Sequence, residues 1–241
     1  MMSTNDQILE LFQAGEDFAH GAVSAALVSV FRGKFCDVLL PNRKTVAFLK
    51  DDIIYNVGDK DRKFFFLQDG FVRVGTITPK GHELIYDVRK AGDVVGELCA
   101  CDRERPDRAV ALEQTNAIPV PFEEIMEVLL KQPELAARLI DIFCRALKEA
   151  YAQVNALAVD DMLHRLVNVL LRLATNIGQQ AGPLTEIPTV LTQEEIAQMV
   201  AARRERISTT LGYLRRQGIV QYTARGHLMV NMKALAGYAA R

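Results

Sequence analysis

The sequence predicts an α+β chain in three parts: an N-terminal β-roll, a long helix suited to dimerisation and a C-terminal winged helix-turn-helix. Three observations predict it. Short β-type runs cut by turns fill residues 43–120, a helical texture takes over from Phe122, and residues 191–220 combine a helix start, a tight turn and an arginine-loaded second helix. Many short strands at this spacing point to a barrel or roll, because α/β units would alternate strand with helix. The 241 residues, 49% of them hydrophobic, suffice for two cores. The expected bounds are 1–132 for the roll with its flanking helices, 133–158 for the long helix and 159–241 for the winged domain.

Taken in order, Ile8, Leu9, Leu11 and Phe12, then Val23, Leu27, Val30 and Phe31, have the spacing of two short amphipathic packing helices. The roll follows as TVAFL, DIIYNVGD, KFFFLQDG, FVRVGTIT, ELIYDVRKAGD, VVGEL, AVALEQ and AIPVP. Gly58-Asp59, Asp69-Gly70, Lys80-Gly81 and Gly92-Asp93 are its turn points, and the second and third sit where hairpin turns between paired strands belong. FEEIMEVLLKQ reads as a short helix, and Pro133 opens a longer one of roughly 25 residues. Its apolar set, Leu139, Phe143, Ala146, Ala150, Val154 and Leu157, recurs near the coiled-coil period and forms a candidate dimer interface, with packing on the roll as the alternative. Asp160 and Asp161 break that row. The next helix turns Leu163, Leu166, Val169, Leu170 and Leu173 inward, and residues 178–190, with two Gly and two Pro, read as a loop.

In the last segment, Thr192 followed by Glu195 is a capping box for a helix over 193–200. Ala201 and Ala202 allow close approach to a second helix from about Arg203. There Ile207, Leu211 and Leu214 form the inward stripe, and Gly218 ends the helix. The opposite face carries Glu205, Thr209, Gly212 and Arg216, with Arg206 and Ser208 at its edges. A major groove needs such groups: Arg bonds guanine bidentately, Glu accepts from cytosine, and hydroxyls take base or phosphate. The candidate DNA-binding residues are Thr192, Arg203, Arg204, Glu205, Arg206, Ser208 and Thr209. A solvated charged helix is the bland alternative, and charge distribution argues against it. Residues 191–241 hold eight basic and three acidic residues, whereas residues 1–190 hold 21 and 27. Residues 218–232 alternate apolar residues around Ala224-Arg225-Gly226-His227, which reads as the wing hairpin.

The same reading disfavours other classes. No apolar run reaches 18 residues and the N-terminus lacks the pattern of a secretory signal, so a cytoplasmic protein without membrane partners is expected. Cys36, Cys99, Cys101 and Cys144 have neither zinc nor disulfide-framework spacing, and the Cys99/Cys101 pair reads as small buried residues. An enzyme or metal protein would have to use His82, Glu83 and Glu97, but no metal spacing or nucleophile motif accompanies them. No catalytic residues, no metal and no enzymatic activity are therefore expected.

The ordered stretches DIIYNVGDKDRKFFFLQDGFVRVG, GDVVGELCACDRERPDRAVALEQT, NALAVDDMLHRLVNVLLRLA and LTQEEIAQMVAARRERISTTLGYLRRQGIV cover nearly the whole chain. In that order they resemble the cyclic-AMP receptor protein and fumarate-nitrate regulator (CRP/FNR) family of bacterial transcription factors. The resemblance implies a roll of the cyclic-nucleotide-binding type in a homodimer that binds and bends a two-fold operator in double-stranded DNA. It also implies contact with RNA polymerase and allosteric control through an effector in the roll.

In the family's cyclic-nucleotide binders the cassette reads G-E-L, a spacer, then Arg-Ser or Arg-Thr before Ala. Backbone amides and the Arg hold the cyclic phosphate, and the Glu takes the ribose hydroxyl. Gly96, Glu97 and Leu98 match, but a gapless reading to Ala109 puts Asp107 at the phosphate arginine and Arg108 at the hydroxyl residue. A carboxylate beside a phosphate repels it. The Thr-Ser pair that holds adenine falls at Ala150 and Tyr151. The effector-binding set implied is Gly96, Glu97, Leu98, Arg105, Arg108, Ala109 and Tyr151. Three readings stay open: cyclic AMP or cyclic GMP held by a shifted Arg105 or Arg108, cyclic di-GMP on Arg103, Arg105 and Arg108, or another ligand or none.

The iron–sulfur branch keeps an N-terminal cysteine cluster, which the first 35 residues lack, and isolated His20 and His82 give little support to a haem sensor. A nucleotide module acting on a protein partner is a further class, and the helix-turn-helix discriminates against it. The family's recognition helix carries Arg-Glu and, four residues after the Glu, a second Arg. Arg204 and Glu205 match, while Thr209 stands in the last position. The T-G-T-G-A half-site should be kept where Arg204 and Glu205 read and altered where that Arg is missing.

Overall fold

The computed structural model describes residues 40, 42–100 and 104–239. The two expected N-terminal helices, His20, Cys36, Cys101 and Arg103 lie outside the described residues. The roll is two four-stranded antiparallel sheets. One joins β1 (Val46–Phe48), β8 (Thr115–Pro121), β3 (Lys63–Asp69) and β6 (Val94–Val95); the other joins β2 (Ile53–Tyr55), β7 (Arg108–Ala111), β4 (Phe71–Ile77) and β5 (Glu83–Lys90), each in that order. In β3 the run Phe64-Phe65-Phe66-Leu67 is buried throughout, because both of its faces are covered. Phe65 and Leu67 meet Val72, Val74 and Tyr55 between the sheets. Phe64 and Phe66 meet Ile125, Val128 and Leu129 of α1 (Phe122–Lys131).

Lys80-Gly81 closes the β4–β5 hairpin, whose ladder ends at Ile77 opposite Glu83. Asp69-Gly70 does not close a hairpin, which corrects the expectation from sequence. β3 and β4 lie in different sheets, and Gly70 is the corner at which the chain crosses between them. Its φ is 82°, and a Cβ there would sit 2.4 Å from Thr115 Oγ1, so only glycine fits.

α2 (Pro133–Val159) starts with proline in its first turn. Asp160, in extended conformation, ends it, and the Asp161 carboxylate accepts from the His164 amide to cap α3 (Met162–Asn176). The hinge thus has a cap on its far side. α4 (Gln193–Val200) and α5 (Arg204–Arg216) form the helix-turn-helix. The segment read as a loop is a short hairpin, β9 (Gln179–Ala181) and β10 (Leu184–Ile187), turning at Gly182 with φ 64°. It extends the expected wing, β11 (Val220–Tyr222) and β12 (Leu228–Val230), to a four-stranded sheet. A final helix, α6 (Met232–Ala239), packs on α3 through buried Leu235.

The winged domain is seated on the roll. Val88 of β5, Leu112 and Phe71 belong to the apolar cluster that contains Leu166, Leu170, Ile196 and Leu211. Three polar links flank it. Arg172 donates to the Tyr86 carbonyl at 3.0 Å, Lys90 Nζ to the Asn176 carbonyl at 2.5 Å, and Arg73 to Glu195 at 2.8 Å. No described helix is long and apolar enough to cross a membrane.

Candidate nucleic-acid interface and effector cassette

The capping box is present with both of its bonds. Thr192 Oγ1 accepts from the Glu195 amide at 3.1 Å, and Glu195 Oε2 accepts from the Thr192 amide at 2.8 Å. Thr192 therefore stands as a cap at the entrance to α4, with its hydroxyl also donating to Glu195. The turn between the helices passes through Ala201 in the left-handed region, φ 53° and ψ 52°, and the Ala202 amide bonds the Ala197 carbonyl. Ile207, Leu211 and Leu214 are buried, so α5 can lie only one way on the domain. That orientation leaves Arg203, Arg204, Glu205, Arg206, Ser208 and Thr209 exposed on its outer face. Among the described residues no carboxylate pairs with Arg203, Arg204 or Arg206. Arg203 is the residue before the helix, and Arg204 opens it. The Thr209 hydroxyl donates back to the Glu205 carbonyl at 2.9 Å, leaving only its lone pairs for a base. Arg225, exposed at the tip of the wing, adds a cation that the sequence reading placed only in a turn.

In the roll the cassette residues come together differently. Gly96 has φ 90°, and a Cβ there would approach the Lys63 carbonyl at 2.7 Å and Arg105 Nη1 at 2.8 Å. Glu97 and Leu98 begin a 3-10 turn that buries Cys99. Burial pushes the Cys99 thiol up to about 11. Arg105 turns inward with no exposed side-chain surface. Its guanidinium donates to Asp61 at 2.8 Å, the Lys63 carbonyl at 2.7 Å and the Gly96 carbonyl at 3.3 Å, and it stacks 3.9 Å over the Tyr55 ring. Arg108 faces Glu83 at 3.4 Å. Ala109 is buried in the β2–β7–β4 ladder, and Tyr151 is exposed on α2.

Asp107, in the position of the phosphate arginine, is buried and accepts from the Tyr55 hydroxyl at 2.9 Å. Its Oδ1 has no hydrogen-bond partner among the described residues. Burial raises its pKa to about 6, with the negative charge of Glu97 adding to the shift. Burial, with the charges of Asp107 and Glu97, holds the Tyr55 hydroxyl well above its usual value. Glu97 in turn faces buried Arg89 at 3.5 Å. Among the described residues the inward cations do not stand open to a cyclic phosphate: Arg89 faces Asp87 and Glu97, Arg105 faces Asp61, and Asp107 puts a carboxyl group where the family's cyclic-nucleotide binders place the phosphate arginine. Tyr55, Asp61 and Arg89 escaped the sequence reading because their partners lie 52, 44 and 8 residues away with no local pattern to mark them.

Along α2, the exposed apolar residues Ile140, Phe143, Leu147, Ala150, Val154 and Leu157 step by 3, 4, 3, 4 and 3, a full heptad row. Phe143, Ala150, Val154 and Leu157 were expected there. Ile140 and Leu147 are added, and the side chains of Leu139 and Ala146 lie outside the described residues.

Comparison with known proteins assigns both halves. Residues 45–132 match the cyclic nucleotide-binding domain, and residues 164–238 match the Crp-like helix-turn-helix domain. The CRP-like cAMP-activated global transcriptional regulator of Mycobacterium tuberculosis is 26% identical over 192 residues, 79% of this chain and 86% of that protein. The global nitrogen regulator of Synechocystis is 26% identical over 213 residues, 87% of this chain and 94% of that protein. In fold the chain matches FixK2 from Bradyrhizobium japonicum with a TM-score of 0.71 at 18% identity, over 81% of this chain and 96% of that one. With both domains matched in the family's order and the outer face of α5 open, the chain belongs to the CRP/FNR family of DNA-binding transcription regulators.

Proposed function

We propose that this regulator acts as a cytoplasmic homodimer, joined along α2, that reads a two-fold operator in double-stranded DNA and contacts RNA polymerase there. The observation that carries this reading is the exposed heptad row of α2. Six apolar positions on one side of a 27-residue helix, left in water by the single chain, are what a parallel partner helix covers. A two-fold dimer would then present two copies of α5 to successive major grooves. Sedimentation of the purified chain together with a mobility shift on selected duplexes tests it. A monomer at micromolar concentration, or binding to single half-sites without gain from a second, would overturn it.

The roll of this protein takes no cyclic AMP in the manner of the family's cyclic-nucleotide binders. Asp107 supports this, since an ionised carboxylate at the phosphate position repels the ligand's one obligatory charge. The Mycobacterium tuberculosis relative is named for activation by cyclic AMP, so the contrast is a difference within one fold. Arg105 and Arg108, on which a shifted cyclic AMP or cyclic GMP would depend and which cyclic di-GMP would need together with Arg103, face Asp61 and Glu83. Isothermal titration with the three nucleotides should give no binding heat. Binding that Glu97→Ala abolishes would restore a working cassette. The protein regulates by binding, without catalysis.

A further inference from the structure

Arg108 belongs to the effector cassette and Glu195 to the DNA-reading domain, and a continuous row of alternating charges joins them. Arg108 Nη1 lies 3.4 Å from Glu83 Oε1. The same Glu83 oxygen lies 3.8 Å from Arg73 Nη2. Arg73 Nη1 donates to Glu195 Oε1 at 2.8 Å. The other oxygen of Glu195 holds the amide and hydroxyl of Thr192, the cap of α4. The four charged side chains are between 10% and 23% exposed, so their attraction is only partly screened.

We infer that Arg108–Glu83–Arg73–Glu195 is an ion-pair relay that sets the attitude of the DNA-reading domain from the effector cassette of the same subunit, with Arg73 as its central positioning residue. The inference rests on the DNA-binding function and adds the route by which the roll acts on it. Removing Arg108 leaves Glu83 with one cation instead of two among the described residues. Glu83 then competes more strongly for Arg73, and Arg73 is the roll's only described ionic hold on the N-terminus of α4. α4 packs on α5, so a shift of its cap changes the angle at which α5 meets DNA. Any change at the cassette that moves Arg108 is therefore felt at α5 without passing through the hinge at Asp160 and Asp161. The Arg172 and Lys90 links hold backbone carbonyls and keep the domain seated while the relay trims its angle.

The test is a double-mutant cycle in the full chain between two residues that do not touch, Arg108→Met and Glu195→Gln. Gln keeps an acceptor for the Thr192 amide, so the cap persists while the ion pair is lost. The readout is the ratio of affinities for a selected operator and a random duplex, which a general loss of stability leaves unmoved because both duplexes meet the same folded fraction. Each single change should lower the ratio by about threefold to thirtyfold, and the pair by no more than the larger single effect. Arg73→Met should match the pair, and Arg73→Lys should recover part of the loss. Multiplying effects of Arg108→Met and Glu195→Gln would overturn the relay, leaving two unconnected contacts. If Arg108→Met does not fold, Arg108→Lys replaces it, with a smaller loss of the same non-additive form. If the unaltered protein selects no operator, the DNA-reading function has failed, and amide exchange over residues 193–200 still decides the relay. Arg108→Met must lower protection there, and unchanged protection overturns it.

Discussion

The Tyr55 hydroxyl donates to Asp107 Oδ2 at 2.9 Å inside the roll, and Asp107 Oδ1 is buried with no hydrogen-bond partner among the described residues. The carboxyl's pKa rises from 3.8 to about 6, mainly through burial. Between those values the folded protein holds a proton that the unfolded chain has released. This stabilising contribution is fully present below about pH 4 and is lost as pH climbs through about 6, with a magnitude of about 3 kcal/mol. Asp107→Asn should flatten that part of the stability curve and leave the variant less pH-sensitive than the original between pH 4 and 6.5. Urea unfolding at a series of pH values measures it, and parallel curves for the two proteins would refute the assignment.

Arg204 opens α5 on its exposed face, where a bidentate bond to a guanine is within its reach. Arg204→Ala should lose about 1–3 kcal/mol of preference for the selected operator over single-base variants. Arg203→Ala and Arg206→Ala should instead weaken binding to all duplexes alike and reduce the salt slope by about one each. Anisotropy titrations at several salt concentrations separate the two behaviours.

Ala201 holds φ 53° between α4 and α5, a conformation in which a Cβ is crowded by the following carbonyl. Ala201→Gly should raise stability by about 0.5–1 kcal/mol, the relief of that crowding less the added freedom of the unfolded chain. Chemical denaturation reads the change, and a loss of stability would show that the left-handed turn is not strained.

Leu147 lies near the middle of the exposed row on α2. Leu147→Glu should place a pair of carboxylates face to face across the dimer and yield monomers by light scattering at micromolar concentration. Helix content should be unchanged, and operator affinity should fall at least tenfold. A variant that remains dimeric would move the interface elsewhere.

Long-period features were legible in the sequence. The capping box of Thr192 and Glu195, the inward row of Ile207, Leu211 and Leu214, the break at Asp160 and the strand runs of the roll each follow from residues within one or two turns of each other. Two failures have different causes. Asp69-Gly70 looks like a hairpin turn because hairpins and sheet corners need the same left-handed glycine, and only the distant Thr115 decides between them. The β9–β10 hairpin has strands of three and four residues, too short to show alternation against Gly and Pro on either side. α6 went unread because Met232 to Ala239 carries one buried leucine, and its cap, the Asn231 side chain that accepts from the Ala234 amide at 3.0 Å, has Ala234 in place of the Glu or Gln that would complete a capping box. The departure at Asp107 was visible, but its pairing with Tyr55 was not, since nothing in either segment encodes the other.

Val88 and Leu112 are roll residues that sit inside the apolar cluster of the winged domain. A chain cut at the hinge would leave these side chains in water on one fragment and take them out of the apolar cluster on the other, with each buried side chain worth about 1.5–3 kcal/mol. Scanning calorimetry of the intact chain should therefore record one joint melting event in place of two. The Asp160–Asp161 joint is a change of direction in the chain, while the melting unit extends across it.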